Sequence, residues 1–262
     1  MQIRIAESQD ALSESAAQWL LTRVSGTAPE RLIALAVGAS VEAPYRALAR
    51  TTACLEGRTL ITIDEMHGLA ADDERLFSAR LAALLLPRTG AQLEPFDSLA
   101  QDPDVEACRI EGLIDKRGLG VCVLGLGPNG HLALNEPGEP FGAPSRRVDF
   151  IEQTIVHLGG ISAISPSTGG MTLSLGALLS AESILLIVDG AKREAVTSLV
   201  FGPLTEAVPA SVLRLHPNVT VMINAAVLGQ DLARWTALPG VEVEASGGYS
   251  RIAERADLER AG

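Results

Sequence analysis

Val121-Cys122-Val123-Leu124-Gly125-Leu126-Gly127-Pro128-Asn129-Gly130-His131-Leu132-Ala133-Leu134-Asn135-Glu136-Pro137-Gly138 is an apolar strand that runs into a glycine turn. Glycine permits positive φ and close backbone approach, so Gly125, Gly127 and Gly130 are how a buried strand opens into a tight loop. The turn presents His131 at a strand's carboxyl end, with Glu136 five positions on. Open α/β sheets bind their ligands at that end, and a histidine with a carboxylate there can serve as acid and base. A histidine that merely satisfies a strand-end turn is the plainer alternative. The same glycines spell G-x-G-x-x-G, the dinucleotide fingerprint, and Asp149 falls about 20 residues further on as that motif requires. A dinucleotide turn must feed a long helix, however, and Pro137, Gly138 and Pro140 stop any helix after about two turns. A dinucleotide cofactor is therefore not expected.

Outward from this stretch, apolar runs alternate with helical patterns, the mark of a parallel sheet built from βαβ units. Strands are predicted at 31–37, 58–64, 120–126, 183–188 and 218–223. Helices are predicted at 9–24, where Leu12, Ala16, Leu20 and Val24 keep helical spacing, and at 72–86 and 103–116. The fold class that follows is α/β: a doubly wound, Rossmann-like, mainly parallel sheet flanked by helices. A single domain is expected over 1–236. From about Pro239 the composition turns to Gly, Glu and Arg, so 237–262 is expected to be a peripheral or loosely ordered extension.

The chain has 262 residues, 47% of them hydrophobic and 20% charged, enough to bury a full core. Its net charge of −11 argues against nucleic acid or an anionic membrane as a partner. An anionic ligand would have to be captured by local donors. Cys54, Cys108 and Cys122 lack metal-type spacing, and an odd count suits a reducing compartment. The start lacks the basic and apolar regions of a signal peptide, and no apolar run reaches about 18 residues, so a cytoplasmic enzyme is expected.

Three further segments converge on the His131 turn if the sheet is doubly wound. In Val37-Gly38-Ala39-Ser40, small residues at a strand-to-helix turn leave amides free to cradle a phosphate, helped by the helix dipole and the Ser40 hydroxyl. An ordinary glycine turn with a serine cap would look the same. In Ile61-Thr62-Ile63-Asp64-Glu65, a strand runs into two carboxylates. A carboxylate at the mouth of an apolar strand is partly desolvated and becomes a better base near neutrality. An N-cap or a solvated turn residue is the alternative for Asp64. In Val188-Asp189-Gly190-Ala191-Lys192-Arg193, either basic side chain can neutralise a phosphate, Lys as a point charge and Arg as a bidentate fork, or simply sit in a solvated first turn.

The run GLGPNGHLALNEPG resembles the signature of the glucosamine-6-phosphate deaminase family, whose sister 6-phosphogluconolactonases share the core but not the Asn135-Glu136-Pro137-Gly138 tail. The resemblance extends from about residue 10 to about residue 230. Its finer shades, in 121–140, 169–190 and 208–218, look closest to the galactosamine-6-phosphate isomerase/deaminase branch. It implies an aldose–ketose isomerase/deaminase that converts an amino-sugar 6-phosphate to a ketose 6-phosphate and ammonia. No cofactor or metal is implied. The partner would be a small sugar phosphate, and a homo-oligomer is possible. By the family's motifs, Asp64 is the base that moves a proton between C2 and C1, and Glu65 a structural neighbour. His131 with Glu136 opens the sugar ring, and Asn129 completes the catalytic set. Gly38, Ala39, Ser40 and one of Lys192 or Arg193 bind the phosphate.

Departures from the family pattern are also visible. Asn129 stands where the deaminases most often have aspartate, and it offers a dipole in place of a charge. The loop from Met66 to Glu74 is shorter than the family's, His67 is expected to be exposed on it, and 151–168 holds no second phosphate-binding arginine. Two alternatives follow: a lactonase acting on a sugar-acid 6-phosphate lactone, and a catalytically silent sugar-phosphate sensor.

Overall fold

In a computed structural model, which describes residues 1–51, 54–160 and 164–244, the Val121 run lies in strand β6 (Leu119–Gly125), within an eight-stranded sheet. Its other strands are β1 (Gln2–Ala6), β2 (Leu32–Leu35), β3 (Thr59–Thr62), β5 (Gln92–Leu93), β9 (Ser183–Val188), β10 (Val219–Asn224) and β11 (Val241–Glu244), in the order β11-β1-β10-β9-β6-β2-β3-β5. Every pairing is parallel. Strands β2, β9 and β10 are buried along their whole length and β6 at all but its last position. This is why they read as continuous apolar runs: helices cover both faces. A second sheet of three antiparallel strands, β4 (Asp64–His67), β8 (Gly169–Thr172) and β7 (Arg146–Asp149), stands beside it in the order β4-β8-β7.

The chain runs outward from β2 to β3 and β5, returns to place β6 against β2, and then continues the other way through β9 and β10. The reversal between β2 and β6 is the topological switch point where such sheets open a crevice. The helices are α1 (Gln9–Gly26), α2 (Ala39–Leu48), α3 (Phe77–Thr89), α4 (Pro103–Arg117), α5 (Glu152–His157), α6 (Leu175–Leu179) and α7 (Arg193–Phe201), with short turns after β10. Among the described residues no helix is long and apolar enough to cross a membrane.

The five predicted strands all form, and Ser183–Val188 keeps the predicted bounds. The run 58–64 does not stay in one sheet. Strand β3 stops at Thr62, the Ile63 carbonyl accepts from the Leu173 amide at 2.9 Å, and Asp64 opens β4 against Thr172. His67 therefore ends a strand and is not exposed on a loop; its Nε2 lies 3.0 Å from the Ala100 carbonyl. Helix α3 starts at Phe77, later than predicted, because Asp73 and Arg75 lock the preceding residues in a turn. Half-polar β1 escaped the hydrophobic pattern. Its partner β11 lies inside the stretch expected to be peripheral and forms the sheet's edge, with Arg4 paired to Glu242 and Glu244. Residues 245–262 of that stretch lie outside the described residues.

Glu65 joins the two sheets' worth of structure to α3. Its carboxylate is fully buried and accepts from the amides of Met66 (2.9 Å), Phe77 (2.7 Å) and Ser78 (2.8 Å). Leu76, at the N-cap of α3, has no side chain that could do this, so a residue of β4 caps the helix from outside. Glu65→Gln keeps the shape but turns an NH2 toward one of these amides. It is expected to lower unfolding free energy by about 1–3 kcal/mol in urea titrations; an unchanged midpoint would count against the cap.

Candidate active site

A cleft of ≈ 670 Å³ opens at the switch point, lined by the loops after β2 and β6, by β4, by α5 and by the start of α7. Gly38, Ala39, Ser40, Asp64, His131 and Lys192, which sequence motifs alone singled out, all line it. These segments lie far apart in the chain, and each reaches the cleft from the end of a strand.

The His131 turn is built by two close approaches. A Cβ at Gly127 would stand 2.4 Å from the His131 ring, and one at Gly130, which has φ +88°, would meet Val208 at 2.9 Å. The Gly130 carbonyl in turn accepts from the Ala210 amide at 2.9 Å, fixing the turn against the 208–211 segment. No helix follows, and Asp149 ends β7 on the surface, paired with Arg147. The dinucleotide pattern is a coincidence of glycines that this turn needs for packing.

Asn135 holds the next bend. Its Nδ2 donates to the carbonyls of Leu132 (3.1 Å) and Leu173 (3.0 Å), which tie it to the end of β8. Glu136 is thereby aimed back at the turn, with Oε2 3.4 Å from His131 Nδ1. Asn129 donates from Nδ2 to the same oxygen at 2.9 Å and accepts the His131 amide on Oδ1 at 3.2 Å. Thr154 of α5 donates to Oε1 at 2.5 Å. Burial alone would raise the Glu136 pKa. The hydrogen bond and charge of His131, followed by the Thr154 and Asn129 bonds, outweigh it and hold the carboxyl at about 2.

Asp64 is the electrostatic opposite. Burial first, and the neighbouring Glu65 charge second, push its pKa up to about 8. Burial also raises Glu65, against the opposing bonds from Ser78, Phe77 and Met66. Two adjacent carboxyls thus differ in role: one is saturated with donors, the other faces the cleft and can hold or release a proton near neutral pH.

At the opposite end, Gly38 is the N-cap of α2 and the first-turn amides of Ala39 and Ser40 border the cleft. Lys192 Nζ donates to Ser40 Oγ at 2.8 Å. Its burial lowers its pKa, with the Asp189 charge opposing. An ammonium, a hydroxyl and a helix N-terminus thus meet at one place. Arg193 is turned away, 3.9 Å from Asp231, and borders a separate shallow depression.

Thr154, Arg75 and Arg80 are among the cleft residues that the sequence motifs did not mark. Thr154 lies in a segment scanned only for arginine. Arg75, which donates to the Ser165 carbonyl at 2.7 Å, and Arg80, paired with Glu42, bring guanidinium groups to the rim from the short loop and from α3. Placing α3 on the helical spacing after Asp64 could have found Arg80, one turn in from Phe77.

An eight-stranded parallel α/β sheet thus gathers a helix N-terminus, a lysine ammonium and a histidine–carboxylate pair at its switch point. The family model for glucosamine-6-phosphate isomerases/6-phosphogluconolactonase matches residues 7–222, and the chain belongs to that family. Its relatives include glucosamine-6-phosphate deaminases of Leuconostoc citreum (32% identical, covering 73% of this chain and 84% of the relative) and Bacillus velezensis (31%, covering 88% and 100%). Among solved structures, a monomeric glucosamine-6-phosphate deaminase superposes with a TM-score of 0.79 at 28% identity, over 89% of this chain and 99% of that one. The 6-phosphogluconolactonase of Trypanosoma cruzi superposes with a TM-score of 0.71 at 17% identity, over 87% and 96%, and shares the fold.

The raised Asp64 pKa links to stability with a definite sign. The folded state keeps the Asp64 proton up to about pH 8, whereas the unfolded chain releases it around its ordinary value of 3.8. This group therefore makes the fold progressively less stable as pH rises between those values. Asp64→Asn removes the dependence. Its stability relative to wild type should grow from pH 4 to pH 8 and then level off, as read by thermal unfolding across that range; a gap independent of pH would contradict the shifted carboxyl.

Proposed function

We propose that the protein is an amino-sugar-6-phosphate isomerase/deaminase that releases ammonia and a ketose 6-phosphate. The observation that carries this is the meeting, in one cleft, of the Asp64 carboxyl, its pKa raised to about 8, with His131, which Glu136 backs from behind, beside Ser40 and Lys192. The deaminase relatives support the amino sugar as substrate.

The phosphate sits on the Ala39 and Ser40 amides and the Lys192 ammonium, which orients the sugar along the cleft toward the other end. His131, with Glu136 behind it, passes a proton between the ring oxygen and the C1 hydroxyl and opens the ring. Asp64, once deprotonated, takes the C2 proton to give a C1–C2 enolamine and returns it to C1. The nitrogen on C2 then forms an iminium, water adds to C2, and ammonia leaves as the ketone forms. Water is consumed and no electrons are exchanged. A base with a pKa near 8 matches this task, because proton transfer is best served by a group titrating near the working pH.

The test is ammonia release from glucosamine 6-phosphate and galactosamine 6-phosphate, side by side; the ratio of their kcat/KM values assigns the epimer. Asp64→Asn should cut kcat by a factor of about 10² to 10⁴ in this assay. Binding without release from either sugar would favour a sensor, and hydrolysis of a 6-phosphogluconolactone would favour a lactonase.

A second comparison separates the two basic neighbours. Lys192→Ala should raise KM about tenfold or more, since a charge-assisted contact to phosphate is worth about 1.5–3 kcal/mol. Arg193→Ala should leave KM unchanged. Equal effects would place the phosphate elsewhere.

A further inference from the structure

Glu136 is gripped from two independent pieces of the fold. One is its own turn, through His131 and Asn129; the other is α5, through Thr154. Helix α5 has only six residues, too few for a helix to persist without tertiary support, and its outward Val156 is 70% exposed. Inward, Thr154 is buried, and Ile155 packs against the satellite core of Met66, Leu76, Phe77 and Leu134. Thr154, Leu158 and Gly159 line the cleft, so α5 is one of its walls. Just beyond, Arg75 fastens the chain by its bond to the Ser165 carbonyl.

We infer that Thr154 is a positioning residue for the acid–base pair: its hydroxyl, donated to Glu136 Oε1, turns this carboxylate toward His131, so that seating α5 against the cleft is what completes the site. A carboxylate rotates freely about its last bond. Oε2 is held from the turn side by Asn129, with His131 at 3.4 Å, and Thr154 holds Oε1 from the other side at 2.5 Å, so rotation of the carboxylate would have to break contacts at both oxygens. A β-branched side chain suits this, because its restricted χ1 holds the hydroxyl in place. The other charged groups around the cleft are Asp64, Glu74, Lys192, Arg75 and Arg80. This inference builds on the proposed reaction but makes a claim about the ligand-free protein as well.

The experiment is a pH titration of wild type, Thr154→Val and Thr154→Ser carrying ¹³C-carboxyl glutamate, followed by NMR without ligand. In wild type, Glu136 is expected to titrate well below the usual carboxylate range, as the lowest glutamate of its cluster. Thr154→Val, nearly isosteric, should move that titration upward, and Thr154→Ser should restore it. With an amino-sugar 6-phosphate, Thr154→Val should also lower kcat by about tenfold with a smaller change in KM, and shift the acid limb of the kcat profile to higher pH. A Glu136 that titrates in the ordinary range in wild type, or does not move in Thr154→Val, overturns the inference. Should Thr154→Val fail to fold, Thr154→Ala takes its place, with the same upward movement expected and an unmoved Glu136 again overturning the inference. If neither sugar releases ammonia, the proposed reaction fails while the NMR titration still judges Thr154.

Discussion

The site depends on keeping two consecutive carboxyl groups in different electrostatic worlds. Successive residues of a strand point to opposite faces, so Asp64 and Glu65 leave β4 in opposite directions. Glu65 enters the protein interior and meets three amides, two of them from the first turn of α3. A helix N-terminus favours negative charge, and the buried anion is held there. Asp64 enters the cleft without that compensation, close to the Glu65 charge, and its proton becomes hard to remove. One interaction, the capping of α3 by Glu65, therefore positions the helix, closes one side of the cleft and adds a nearby charge to the burial that raises the Asp64 pKa.

The same economy governs the turn after β6. Asn135 and Glu136 are adjacent, yet Asn135 spends its amide on main-chain carbonyls and Glu136 is left for chemistry. Burying an amide is tolerable because its hydrogens are matched. In consequence the direction of Glu136 is set by the end of β8, a strand of the second sheet, and not by the flexible-looking Pro137-Gly138 that follows. Both sheets thus meet in the acid–base pair: the parallel sheet delivers His131, the antiparallel one delivers Asp64 and anchors Glu136.

What could be read from the sequence was whatever depends on local pattern. Continuous apolar runs mark β2, β6, β9 and β10 because those strands are buried on both faces, and glycines mark the turns where a side chain would collide. Half-polar β1 and the edge strand β11 beside it carry no such signal, since neither is buried along its whole length. The break between β3 and β4 was invisible for a different reason: Ile63 looks like any strand residue, and only the distant Leu173 amide reveals that the chain changes sheets there. Lys192 and Arg193 are equal by composition and are separated only by the direction each side chain takes from the start of α7. Thr154 is the extreme case. Nothing about a threonine in a short polar helix announces a partner 18 positions earlier in the chain.

Asn129 changes meaning once Glu136 is seen beside it. An aspartate in this place would set a second carboxylate about as near to Glu136 Oε2 as the 2.9 Å amide contact, and like charges at that distance cannot both stay ionised at little cost. The amide instead donates a proton to Glu136 and accepts one from the His131 backbone, so it satisfies both neighbours without charge. The acid–base unit in this chain is consequently a pair with two neutral supports, Asn129 on one oxygen and Thr154 on the other. Glu136 stays ionised, against its burial, chiefly through the hydrogen bond and charge of His131, with the Thr154 bond from a six-residue helix next and Asn129 after it.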